Sequence, residues 1–143
     1  MNSFLKETEK KISVSAALFI LRFGVGVVFL SFGVGKLIRS TDWILFIPSW
    51  LTNFLAHHRG FTVQTFLHFQ GIAEVLIGFQ LILGVLTRWT AAAAAVTLLL
   101  IIYSIGFDPI GIRDTGLFFS SLAILILGPG DWSIDAWSAR HLQ

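Results

Sequence analysis

The residues best able to do chemistry in this sequence are the few charges set inside long apolar stretches. Glu74 lies near the middle of the stretch from about 61 to 86, and Arg22 lies within the stretch from about 12 to 37, which closes on Lys36. A carboxylate in an apolar medium must be paired, protonated or in contact with water. At about 100° per residue, Gln70, Gly71, Gly78, Leu81 and Arg88 share the broad face of Glu74. Arg22, Gly26, Phe29, Gly33 and Lys36 fall within about 40° of one line on their own helix. Counted from the ends of the two stretches at about 1.5 Å per residue, Arg22 and Glu74 differ by about 5 Å in depth. Arg22 is therefore the expected partner of Glu74 and holds it ionised. The expected polar intramembrane site is Arg22, Lys36, Glu74 and Arg88. Asp108, Arg113 and Asp114 are expected at the outer end, level with Lys36. Two jobs suit such a set. One is a buried ion pair that fixes helix register. The other is a polar cavity that holds a quinone head group or relays a proton, with Lys36 and Arg113 near an anionic substrate or a quinone oxygen.

Other chemistry-bearing residues give less. His57 and His58 are adjacent, with no third ligand nearby, and read as a surface pair. His68 has no histidine at matching depth in another span to share a haem, and reads as hydrogen-bonded or lumen-facing. Gly33-Val34-Gly35-Lys36 lacks the first glycine of a phosphate loop and the hydroxyl residue after its lysine. No metal site is expected. There are no cysteines, which excludes disulfide exchange, iron–sulfur clusters and covalent c-type haem in this chain. No covalent cofactor is expected, so any redox role needs a bound cofactor, a quinone or a partner subunit.

The elements that carry these residues follow from composition. The chain has 143 residues, of which 55% are hydrophobic and 13% charged; mean hydropathy is +0.82. Soluble domains are about 45–50% apolar and about 25% charged. A globule this small has too much surface for its volume to hide the excess. A soluble enzyme, a disordered chain and a nucleic-acid-binding domain are thereby excluded, and contact with a lipid bilayer is expected. A span needs about 20 residues, so four would use about 80.

The expected fold is all-α: one transmembrane domain over residues 1–143, built as a four-helix bundle. The spans fall at about 12–37, 61–86, 89–107 and 109–128, with a tail from 131 to 143. Ala91 to Ala95 offer a smooth packing surface in the third. Gly128-Pro129-Gly130 ends the fourth. Between the first two spans, about 43–58, Trp43, Phe46, Trp50 and Phe54 stand among polar residues, with Pro48 in the middle. A short interfacial helix after Pro48 is expected, with Trp50, Phe54 and His58 on one face. A protein-docking face and a re-entrant hairpin are the alternatives, and the four aromatics are the candidate partner contacts.

Net charge is +2. The basic residues are spread along the chain without a patch, which fits loop ends rather than nucleic acid. Four spans put both termini on one side. Lys6, Lys10, Lys11, Arg88 and Arg140 lie there, against Lys36, Arg39, Arg59 and Arg113 opposite. That small excess puts the termini in the cytoplasm. The mixed-charge N-terminal segment reads as a retained lead-in, not a signal peptide.

In order along the chain come Leu21-Arg22-Phe23-Gly24, Phe32-Gly33-Val34-Gly35-Lys36-Leu37, Ala73-Glu74 with Gly78, Gly84-Val85-Leu86-Thr87-Arg88, Arg113-Asp114 with Gly116, and Gly128-Pro129-Gly130-Asp131-Trp132-Ser133-Ile134-Asp135. This ordered set resembles the DoxX family of small four-helix membrane proteins over about residues 16–135. The resemblance implies a bundle in a bacterial or archaeal cytoplasmic membrane. It also implies kinship with the membrane subunit of thiosulfate:quinone oxidoreductase. The expected role is a subunit that anchors or supports a quinone-linked oxidoreductase or respiratory-type complex, not catalytic alone, with a quinone and a protein partner. A purely structural assembly subunit is the alternative, and a small transporter is a further one. The aromatic segment from Trp43 to Phe54 has no counterpart in the family pattern.

Overall fold

The computed structural model describes residues 2–57, 61–106 and 108–141, apart from the side chains of 2–6 and 8. His58, Arg59 and Phe107 lie outside the described residues. The described chain is helical throughout, with short connections. Four helices are long and apolar enough to cross a membrane: α1 (Asn2–Ile38), α4 (Val63–Leu83), α5 (Thr87–Ile105) and α6 (Pro109–Leu127). Between α1 and α4 come α2 (Ser40–Trp43), a 3-10 turn at Ile44–Phe46 and α3 (Ser49–Ala56). The chain closes with α7 (Ile134–His141).

The long helices end where local chemistry ends them. Thr62 caps α4 by accepting a hydrogen bond from the Thr65 amide at 3.1 Å. Gly84, at φ +70°, stops α4, and its amide and that of Val85 both donate to the Gln80 carbonyl. Asp108 caps α6 by accepting from the Gly111 amide at 2.7 Å, with Pro109 in the first turn.

The bundle is assembled from two helix pairs, α1 with α4 and α5 with α6, joined through α1–α6 and α4–α5 contacts. Glycines set the first pair. A Cβ on Gly33 would sit 2.7 Å from the Gly71 carbonyl, and one on Gly78 would sit 2.7 Å from the Gly26 carbonyl. The two backbones therefore touch at Gly26/Gly78 and Gly33/Gly71, with small residues on both faces. Val25, Phe29, Ile77, Leu81, Ala91, Ala94, Leu98 and Ile124 form the buried core where all four helices meet. Large exposed apolar side chains such as Ile20, Leu76, Val96 and Phe119 cover the outside, as lipid contact requires.

The segment after α6 folds back over one end of the bundle. The Asp135 carboxylate accepts from the Leu86 and Thr87 amides, both at 2.8 Å, and so caps α5 from a distance. Its own amide donates to the Gly84 carbonyl at 3.0 Å. Leu86 is held there at φ +47°, in the left-handed region that leucine rarely adopts. Asp131 accepts from Ser15 Oγ at 2.9 Å, which ties the same segment to α1.

Three outcomes are expected in unfolding titrations of the detergent-solubilised protein. Gly78→Leu destabilises by about 1–3 kcal/mol, because backbone fills the space its side chain needs. Gly116→Ala, where a Cβ meets nothing within 4 Å, leaves stability unchanged or slightly raised. Asp135→Ala costs about 1–2 kcal/mol through loss of the α5 cap.

Candidate functional site

Glu74 is 2% exposed in the middle of α4. Its partner is Lys36, whose Nζ donates to both carboxylate oxygens at 2.5 and 2.6 Å. The pairing expected from sequence, Arg22 with Glu74, is not what forms. The glycine contacts align residue 26 with 78 and 33 with 71. Glu74 is then level with about residue 30 of α1, roughly 12 Å along the axis from Arg22 at about 1.5 Å per residue. Side chains also lean toward the N-terminus of their own helix. In this antiparallel pair Lys36 and Glu74 lean toward each other, whereas Arg22 and Glu74 lean apart.

Arg22 is fully buried at the opposite end of the bundle. Its Nη1 donates to the Leu81 carbonyl at 3.1 Å and its Nη2 to the Trp132 carbonyl at 2.5 Å. Leu81 and Gly84 end α4, and Trp132 belongs to the returning C-terminal segment, so Arg22 joins the two. A Cβ at Gly84 would collide with the Arg22 guanidinium and with Ser133, so glycine is required there by space as well as by φ. Arg88 is exposed, with its guanidinium beside Gly128 at this same end. The four residues expected to form one polar site therefore divide: Lys36 and Glu74 together, Arg22 and Arg88 at the far end.

A second charge pair joins Lys36 and Glu74. Arg113 donates from Nε and Nη2 to Asp114 Oδ1 at 2.8 and 2.7 Å. Asp114 is 4% exposed and lies near enough to act on the Glu74 charge. Arg113 and Asp114 line the same cavity as Lys36. Asp108, expected with them, caps the start of the same helix. The two cations are steadied by aromatic faces. Lys36 Nζ lies 4.9 Å from the Trp43 ring centroid and Arg113 Cζ 4.7 Å from that of Phe32. Phe32 and Trp43 meet edge-on at 5.3 Å.

These four charges bound one end of a cavity of about 740 Å³. Its walls are apolar residues of α1, α4, α5 and α6, with Gln70 and Ser104 as further polar groups. Trp43, Phe46 and Trp50, the aromatics of the segment after α1, cover one side. Phe54 is on the outer face of α3 instead. His57 Nδ1 donates to the Asn53 carbonyl at 2.7 Å, and His68 is exposed. Sequence reasoning missed the jobs of Asp131 and Asp135. Their place after Gly128-Pro129-Gly130 was visible, but their partners lie in other helices. It also missed Trp43 as the lid over Lys36, for which a tryptophan seven residues beyond the span-ending lysine was the available signal.

The fold and site define a four-span helical membrane protein with a charge cluster, buried but for the half-exposed Arg113, lining a largely apolar cavity. The DoxX family model matches residues 17–106, and the chain belongs to the DoxX family. No curated protein and no solved structure matches the chain.

A double-mutant cycle read by unfolding in detergent tests the pairing. Lys36→Met alone leaves a buried carboxylate unpaired and is expected to cost about 3–5 kcal/mol, most of which Lys36→Met with Glu74→Leu recovers. Arg22→Met and Glu74→Leu are expected to be additive within about 0.5 kcal/mol.

Proposed function

We propose that this DoxX protein is the membrane subunit of a quinone-linked oxidoreductase, and that its cavity holds the quinone head group. One observation carries this: a largely apolar cavity of about 740 Å³ ends on a cluster of two cations and two carboxylates. Small-molecule sites run from about 300 to 1,000 Å³, mostly apolar with a few placed polar groups. A quinone is an uncharged polar ring on an apolar chain. A site of balanced charge does not favour an ion over such a ring, whereas a net charge would. The rings of Phe32, Trp43 and Phe46 give flat faces for it, and Arg113 supplies a donor for a ring oxygen. The resemblance to the membrane subunit of thiosulfate:quinone oxidoreductase points the same way. A bound quinone supplies two-electron redox chemistry. On this reading the electrons come from a partner subunit. What this chain does is bind the ring, keep it out of the lipid and present its oxygens to fixed charges.

The test is a titration of the purified protein in detergent with decylubiquinone and a short-chain menaquinone, followed by quenching of tryptophan fluorescence. Saturable quenching is expected with at least one of them, weakened about tenfold or more in the Lys36→Met/Glu74→Leu protein. Quenching that never saturates, or that is equal in the two proteins, overturns the proposal.

A further inference from the structure

The polar end of the cavity has more hydrogen-bond acceptors than its own donors use. Both Arg113 bonds to Asp114 go to Oδ1, which leaves Oδ2 of this cavity-lining residue without a hydrogen bond. Lys36 spends its short contacts on Glu74. Gln70, one turn before Glu74 and also on the cavity wall, has its Oε1 enclosed with no partner. Its Nε2 faces Glu74 Oε1 at 3.4 Å. Turning the amide over would set oxygen against carboxylate, so electrostatics fixes which atom is left unpaired. Gln70 lines the cavity and its terminal torsion is broad, so its amide can turn to meet a ligand there. Arg113 Nη1 makes no hydrogen bond of its own and is open to a ligand oxygen.

A quinone carbonyl only accepts hydrogen bonds. A quinol hydroxyl accepts and also donates. Arg113 Nη1 can serve the oxygen of either form, but of the two forms only the quinol, through its O–H, can donate to Asp114 Oδ2 and Gln70 Oε1. We propose that this cavity selects the reduced, hydroxyl-bearing form of its ligand, with Asp114 Oδ2 as the principal acceptor and Gln70 Oε1 as the second. This rests on the quinone-site reading and adds the redox state that the site prefers. A hydrogen bond to a charged acceptor, made by one form alone, is worth about tenfold or more in affinity.

The experiment measures dissociation constants anaerobically for decylubiquinone and its quinol, and for the same menaquinone pair, by ligand-induced shift of Tm in detergent. Quinol is expected to bind about tenfold tighter. An equilibrium redox titration then finds the midpoint potential of the bound couple raised by about 30 mV per tenfold preference. Asp114→Asn keeps Oδ1 for Arg113 but turns the free oxygen into a donor, so the preference is expected to fall to parity or reverse toward quinone. Gln70→Leu narrows it about twofold to threefold. Because wild-type protein gives the preference directly, a variant that fails to fold does not remove the test. Equal binding of the two forms, or an unchanged preference in Asp114→Asn, overturns the inference and leaves the quinone site standing. Failure of both forms to bind overturns the inference and the quinone site together.

Discussion

The backbone contact between α1 and α4 decides most of what the rest of the molecule does. Where Gly26 meets Gly78 and Gly33 meets Gly71, neither helix can slide without driving a side chain into a carbonyl. The contacts repeat at a spacing of seven on each helix, the period that keeps two helices facing each other along a shallow crossing. Register is therefore set by shape rather than by charge. The charges then have to satisfy one another within it. Lys36 and Glu74 can do so because an antiparallel pair makes their side chains lean toward a common depth. The ion pair is a consequence of the glycine contact, and it also guards it. A slip of one residue would rotate Glu74 by about 100° and strand a carboxylate in lipid.

The other end of the bundle meets the same constraint with backbone instead of side chains. Among the described residues, Arg22 has no carboxylate hydrogen-bonded to it. It is held by the Leu81 and Trp132 carbonyls, which are free because they belong to a helix end and to the returning segment after α6. One arginine thus answers two needs, its own burial and the orphan acceptors of α4. Asp135 does the converse for the orphan donors of α5. The sharp α4–α5 turn at Gly84 to Leu86 is closed by groups that come from the last dozen or so residues of the described chain. Its left-handed leucine is held by a partner 49 positions away in sequence.

These two ends show what could be read from the sequence and what could not. The membrane-spanning helices were legible because apolar length is a local property, carried within each stretch. The charged residues were legible as costly, since any ionised group in such a stretch needs a partner. Which partner was not, because depth counted from helix ends assumes that the ends are level. They are not: α1 begins at Asn2 and runs well past the point where α4 stops at Leu83. Only the glycine contact reveals the offset. The aromatic segment was legible as a short helix after Pro48, but not that Trp43 turns onto Lys36, since that depends on where α1 ends relative to α4. Asp131 bonds a serine 116 positions away, a relation no local pattern carries.

The contrast between the two ends is itself an argument about function. At the Arg22 end the charged groups bond to the chain's own backbone, with Arg22 Nε and Thr87 Oγ1 buried without partners among the described residues. At the Lys36 end a comparable number of charges is arranged around a space. Structural need alone would be met by one ion pair or by apolar side chains, because replacing a buried pair with hydrocarbon is often neutral or better. Four charges of balanced sign, two aromatic faces over the cations, an amide oxygen with no donor and a carboxylate oxygen with none exceed what holding the helices together requires. Unspent hydrogen-bonding capacity in a low-dielectric place is costly. Kept beside an apolar cavity, that capacity is what the proposed ligand would satisfy.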